Sequence, residues 1–202
     1  MTDLAFSGAD VDGGLYTRVT DLAAHAPGFV DRLVADWTDY GLAVFAVLML
    51  GAWWYARGQS TGRMAQALLA PVVVVLVYAV NDVLKGLVQE QRPCQTLPGS
   101  STIEACPGAG DWSFPSNHSV IAAAAATAVF LVHRALGWVA AVAALAMAAS
   151  RVWVGVHYPH DVLVALLLGV AVAWPLTVAA GHAAPAVERL RASRWRVAVA
   201  RR

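Results

Sequence analysis

The chain has 202 residues, 59% of them apolar and 13% charged, with a mean hydropathy of +0.59 and a net charge of +1. Soluble domains carry about twice that share of charge, so an ordinary water-soluble fold is excluded; disorder is excluded by the apolar fraction and a disulfide-stapled miniprotein by the two cysteines. The near-neutral total hides a segregation of sign: residues 1–39 hold two Arg against seven Asp, and residues 181–202 hold six Arg against Glu188.

In chain order, Leu15, Val19, Leu22, Phe29, Leu33 and Trp37 recur at mostly helical spacing between charges. Residues 14–39 are therefore expected to form an N-terminal amphipathic helix in the membrane interface. Uncharged runs follow at 40–56, 64–81, 112–133, 135–150 and 162–187, each bounded by Asp, Glu, Lys or Arg. Crossing about 30 Å of hydrocarbon at about 1.5 Å per residue takes about 20 residues, so these are five predicted spans. The run 135–150 reaches that length only by continuing through Arg151, whose guanidinium should then face the bundle interior or water. Trp53, Trp54 and Tyr55 close the first span and Trp138 opens the fourth, an interfacial aromatic belt that needs no nucleic acid or cofactor to explain it. Pro71 and Pro175 are expected to kink their spans rather than end them.

The expected fold is an all-α, polytopic transmembrane helix bundle. An acidic segment (1–39) leads, a membrane domain (40–180) follows, and a basic tail (181–202) ends the chain. Cytoplasmic loops collect Lys and Arg, which places Arg57, Arg63, Arg134 and the Arg-rich tail at the inner face of the plasma membrane. The N-terminus, the 86–116 loop and the 157–161 turn then lie outside and the C-terminus inside. No basic head precedes an apolar stretch, so the first span is expected to be an internal helix rather than a cleaved leader.

Three polar clusters fall at the outer ends of these spans. In KGLVQEQRP (85–93), Lys85 and Arg92 are seven apart and share one helical stripe, which suits an anionic ligand; a solvated helix end or snorkelling would explain them as well. In FPSNHSV (114–120), Ser116 can cap an alanine-rich helix whose first-turn amides would meet an anion, and His118 beside them can give a proton. A merely capped helix with an exposed histidine is the plain alternative. In SRVWVGVHYPHD (150–161), Arg151 and His157 converge only if the helix breaks between Gly155 and Pro159. Asp161, in the first turn of the next span, is then within reach of the ring proton of His157, leaving the other nitrogen aimed as a nucleophile or base. A structural His–Asp pair capping a helix is the alternative there.

Taken together, Lys85-x6-Arg92-Pro93, Pro115-Ser116-Asn117-His118 and Ser150-Arg151-x5-His157-x3-Asp161 resemble the three-part signature of the type 2 phosphatidic acid phosphatase family. The resemblance implies a membrane lipid phosphatase. His157 would attack phosphorus to give a phosphohistidine, Asp161 would fix its tautomer, and His118 would protonate the leaving oxygen and then activate water. Lys85, Arg92, Ser116, Asn117 and Arg151 would bind the phosphate. Three cations balance a charge of about −2, so no metal or cofactor is implied. His160 has no role in the motif and is expected to be a spectator.

The substrate class implied is a lipid phosphate or diphosphate whose tail stays among the membrane lipids. A polyprenyl diphosphate is favoured over phosphatidate, phosphatidylglycerophosphate or a decaprenyl sugar phosphate. Vanadium haloperoxidases share the residues but resemble larger soluble proteins. A non-catalytic lipid-binding protein is the reading from a different class. Two departures stand out: Asn117 replaces a family glycine, and five spans replace the six of many members. Asparagine tolerates left-handed backbone and keeps its amide, so phosphate binding is expected to survive. Cys94 and Cys106 share the outer loop, where a disulfide that holds Arg92 in place is expected, two free thiols being the alternative.

Overall fold

The computed structural model describes residues 6–97, 99, 101–193 and 196–200. Its elements are β1 (Phe6–Ser7), α1 (Ala9–Ala24), α2 (Gly28–Tyr40), α3 (Leu42–Ala56), α4 (Thr61–Val88), β2 (Glu90–Gln91), α5 (Pro93–Thr96), α6 (Asn117–Val132), α7 (Arg134–Trp153), α8 (Pro159–Ala180), a 3-10 turn (Gly181–Ala183), α9 (Ala184–Arg191) and α10 (Arg196–Val199). Helices dominate, and the two short strands pair in parallel, Phe6 with Glu90 and Ser7 with Gln91.

The helix at the centre, α6, is shorter than the α4, α7 and α8 that surround it. Residues 122–126 of α6 are all alanine and at most 6% exposed, because α4, α7 and α8 enclose the helix on its sides. A helix apolar all round belongs in a protein interior, and small side chains let neighbouring backbones approach. At Gly169 of α8, an added Cβ would lie 2.6 Å from the Ala123 Cβ, and at Gly137 of α7 it would collide with Phe130. A single residue, His133, turns α6 into α7, its Nδ1 accepting from the Leu136 amide at 3.2 Å.

Three helices are long and apolar enough to cross a membrane: Thr61–Val88, Arg134–Trp153 and the continuous Pro159–Arg191. A fourth crossing exists if α2 and α3, which meet at 53° around Gly41, count as one. The five-span expectation is thus met only in part. The run 112–133 became α6, 16 residues long, whose length is set by protein packing rather than by lipid. The run 40–56 became α3, 15 residues long, which gains length only through α2.

The single interfacial helix expected over 14–39 is two helices. Pro27 has no amide hydrogen and disfavours helix before it, so α1 ends at Ala24 and α2 restarts at Gly28. Instead of lying free on the interface, α1 packs on the α7–α8 corner. Tyr16 is fully buried and donates to the Gly155 carbonyl at 2.9 Å. The tail folds against the opposite end: Arg57 donates to the Val197 and Ala200 carbonyls at 2.7 and 3.1 Å. Thus α1 sits at one end of the bundle, and α9 and α10 at the other.

Candidate active site

The site is built on the break between α7 and α8. Gly155 adopts φ +86°, a conformation L side chains rarely take, and a Cβ there would stand 3.0 Å from the Ser101 carbonyl and the Thr102 methyl. The break turns His157 inward until it is 2% exposed. Its Nδ1 lies 3.2 Å from Asp161 Oδ2, and its Nε2 lies 3.2 Å from Arg92 Nη1. A guanidinium only donates, so Nε2 must accept and the ring proton must sit on Nδ1, facing the carboxylate. Burial, then the nearby charges of Arg92, Arg151 and Lys85, push the His157 pKa well below the usual histidine value. Geometry and electrostatics therefore agree on a neutral ring with its lone pair at Nε2.

The Asp161 carboxylate is fully buried and holds the corner together. Its Oδ2 accepts from Ser113 Oγ at 2.5 Å and from the Tyr158 amide at 2.8 Å, besides facing His157. The same side chain thus caps α8 and orients the histidine.

Lys85, in the last turn of α4, donates to the Trp112 carbonyl at 2.6 Å. Arg92, which follows β2, spreads its fork over the Asp111 carbonyl (2.8 Å), Asp111 Oδ1 (2.9 Å) and the Val156 carbonyl (2.8 Å). Arg151, in the last turn of α7, bonds Glu104 Oε1 at 3.0 Å and Thr38 Oγ1 at 2.8 Å. All three cations bear electrostatically on His157. Asp111 and Glu104 both belong to the loop between α5 and α6, so that loop sets a carboxylate against all three cations: Asp111 on Arg92 and, at 4.0 Å, on Lys85, and Glu104 on Arg151. Cys94 and Cys106 are joined by a disulfide with 6.0 Å between their Cα atoms, closing the base of the loop two residues after Arg92.

Ser116 caps α6 through its backbone only, so its side chain leaves the first-turn amides to other partners. Its amide donates to the Asp161 carbonyl at 3.3 Å, and its hydroxyl accepts from Ser119 at 3.2 Å. The Asn117 side chain accepts from Asn81 Nδ2 of α4 at 2.8 Å. His118 is half-buried, within electrostatic reach of Arg151, Arg92 and Lys85, and has no hydrogen-bond partner among the described residues. The structure therefore gathers residues from α4, β2, α6, α7 and α8 around His157.

Several contributors lay outside the sequence reading. Ser113, Asp111, Glu104 and Thr38 carry no motif, and only the fold brings them in. His160, expected to be a spectator, is instead enclosed by acids. Its amide and Nδ1 meet Asp12 of α1 at 2.7 and 2.8 Å, and its Nε2 meets Glu90 Oε1 of β2 at 2.9 Å. Glu90 sits within the first polar cluster and His160 within the third, so their positions were a usable signal; Asp12, 148 residues away, gave none. Glu90, His160 and Asp161 place ligand atoms within 4.8 Å of one another, a spacing a metal ion could use. Both ring nitrogens of His160, however, already face carboxylates as donors, which leaves the imidazole no lone pair for a metal.

Buried cations around a carboxylate-backed histidine, at one end of a bundle of membrane-crossing helices, define a membrane enzyme of phosphoryl chemistry. The model of the PAP2 superfamily matches residues 66–183, more than half of the chain, and the chain belongs to that superfamily of membrane lipid phosphatases. It is 29% identical over 149 residues to the undecaprenyl-diphosphatase BcrC of Bacillus subtilis (strain 168), covering 74% of each chain. It is 33% identical over 167 residues to the bacitracin transport permease protein BcrC of Bacillus licheniformis, covering 83% of this chain and 78% of that one. The crystal structure of a transmembrane PAP2 type phosphatidylglycerolphosphate phosphatase from Bacillus subtilis shares the fold. It superposes with a TM-score of 0.59 at 21% identity, over 82% of this chain and 83% of that one.

Proposed function

We propose that this chain hydrolyses a polyprenyl diphosphate at the extracytoplasmic face of the plasma membrane, through a phosphohistidine on His157, and releases inorganic phosphate. The observation that carries the mechanism is the double constraint on His157: Asp161 at Nδ1 and Arg92 at Nε2 leave it neutral, with its lone pair among the cations. Nε2 attacks phosphorus as the bond to the leaving oxygen breaks, and His118 gives that oxygen its proton. His118 then takes a proton from water as the water oxygen attacks the phosphohistidine, freeing phosphate and restoring His157. Arg92 transfers its N–H from Nε2 to a phosphoryl oxygen, and Lys85, Arg151, Ser116 and the Asn117 amide hold the others.

Lipid rather than soluble substrate is supported by the surroundings. An apolar groove of about 440 Å³ between α2 and α7, lined by Leu33, Trp37, Ala149, Ser150 and Trp153 among others, reaches the last turn of α7, the turn that carries Arg151, and would offer an apolar tail a place there. The diphosphate preference is supported by the resemblance to the undecaprenyl-diphosphatase of Bacillus subtilis.

The test is phosphate release by the purified protein in detergent from undecaprenyl diphosphate, phosphatidate and phosphatidylglycerophosphate, with EDTA and with vanadate. Turnover should be fastest on the diphosphate, survive EDTA and fall with vanadate. His157→Ala should abolish release while substrate binding persists, and Asp161→Asn should slow it without stopping it. An active His157→Ala variant would refute the nucleophile; equal or better turnover of a monophosphate would refute the substrate.

A further inference from the structure

Asp161 has two oxygens in different circumstances. Oδ2 accepts from Ser113, the Tyr158 amide and His157, whereas Oδ1 is buried without a hydrogen-bond partner among the described residues and has His160 Nε2 at 3.4 Å. Close by lies a second buried carboxylate, Glu90, 1% exposed. Two carboxylates removed from water repel each other, and one takes up a proton unless a cation stands between them.

His160 is that cation. Asp12 Oδ1 at Nδ1 and Glu90 Oε1 at Nε2 are both acceptors, so each ring nitrogen must donate and the ring is an imidazolium. It is stacked on Tyr158 at 5.4 Å between ring centroids and packed near Phe114 at 6.0 Å. The strand pairing of β1 with β2 brings Gly8 over the cluster, where a Cβ would lie 2.6 Å from His160 Cε1 and would collide with Glu90. The backbone entering α1 thereby covers the ring. The groups facing His160 are Asp12 from α1, Glu90 from β2, and Asp161 and Tyr158 at the start of α8.

We propose that His160 is a positioning residue: held as an imidazolium by Asp12 and Glu90, it keeps the Asp161 carboxylate ionised and directed at His157 Nδ1. This rests on reading His157 as the nucleophile. The row Asp12–His160–Asp161–His157 then joins the N-terminal acidic segment to the reacting nitrogen, and Glu90 balances the charge. His160 touches no phosphate-binding cation, so its influence belongs in kcat rather than KM.

The experiment is the pH dependence of kcat and KM on undecaprenyl diphosphate in detergent micelles for the wild type, His160→Gln, Glu90→Gln and the double variant, with the Tm of each. His160→Gln should leave KM unchanged and move the acid limb of kcat upward by about one pH unit, lowering the rate below the limb about tenfold. The double variant should recover part of both losses, because the second buried carboxylate that required the cation is gone. An unmoved limb, a loss confined to KM, or a double variant no better than His160→Gln would reduce His160 to a structural role and overturn the proposal. If His160→Gln does not fold, Asp12→Asn provides the test: a smaller shift in the same direction supports the proposal and an unmoved limb overturns it. Activity surviving in His157→Ala would instead bring down the underlying reading, so the two failures are distinguishable.

Discussion

In the proposed mechanism the His157 nitrogen that accepts a hydrogen bond from Arg92 is protected until substrate arrives, because the phosphoryl oxygens are better acceptors for a guanidinium than imidazole is. The protonation state of His157 decides whether that exchange is productive, and its sign can be worked out. Only the neutral ring attacks, and burial with three nearby cations lowers its pKa. The ring therefore stays neutral well below the ordinary histidine value of about 6.5. The acid limb of kcat/KM for the wild type should accordingly lie below pH 6.5, and a limb at or above that value would contradict the cationic setting. The same shift acts on stability. The unfolded chain binds this proton more readily than the folded one, so the contribution is complete above about pH 6.5 and is lost as pH falls through the range beneath it. Denaturant midpoints measured from pH 8 to pH 5 should fall across that window in the wild type and fall less in His157→Gln. At this scale the residues gathered around His157 were legible as a group, since Lys85, Arg92, His118, Arg151, His157 and Asp161 belong to short spacings with a chemical reason. The supports were not: Asp12 and Ser113 reach the site across 148 and 48 positions of sequence respectively, and nothing local marks an acid as the partner of a distant histidine.

Among the elements, the loop between α5 and α6 has the most unexpected role. Its length and its disulfide were readable; that its acids would sit on the cations was not, because carboxylates in a polar loop look solvated in sequence. Asp111 pairs with Arg92 and Glu104 with Arg151, so on the proposed function substrate phosphate would compete with both acids for these cations. Asp111 is more than half exposed, and ion pairs of that kind contribute about 0.2–1 kcal/mol. Asp111→Asn and Glu104→Gln should each lower KM by a factor of about 1.5 to 5, with kcat little changed, in steady-state phosphate release. A raised KM in either variant would mean that the acid helps to hold the cation in position rather than competing for it. The helices show a similar division between legible and hidden. Apolar residues at helical spacing announced helix over 14–39, and Pro27 was present to break it, but the docking of Tyr16 on Gly155 depended on a corner formed 139 positions later. The alanine run of α6 read as a lipid span because hydropathy does not distinguish a lipid environment from a protein one.

For the molecule as a whole, the two ends of the bundle are chemically unlike, and the proposed direction in the membrane rests on that difference. At one end, α1 is bonded to the catalytic corner through Tyr16 and Asp12. At the other, Arg57 stacks over Trp54 at 4.5 Å and bonds the carbonyls of the 197–200 segment, and Arg191 bonds the Gln59 carbonyl at 2.9 Å. Helices α3, α4, α6, α7 and α8 run between these ends in turn, so the acidic and basic termini finish on opposite sides. Arginine in short connections favours the cytoplasm, so in the proposed orientation the Arg57 end lies inside and the site end outside. In that orientation a phosphate carried on a lipid of the outer leaflet would meet Arg92 and Arg151 without crossing hydrocarbon, where a bare charge costs several kcal/mol. The two native cysteines are joined to each other, so a single introduced cysteine reports its own side. Asp21→Cys, exposed on α1, should react with a membrane-impermeant maleimide on intact cells, whereas Arg189→Cys, exposed on α9, should react only after permeabilisation. Labelling of Arg189→Cys alone would reverse the orientation, and the site would then have to draw its substrate from the inner leaflet; labelling of both on intact cells would overturn the placement of the two termini on opposite sides.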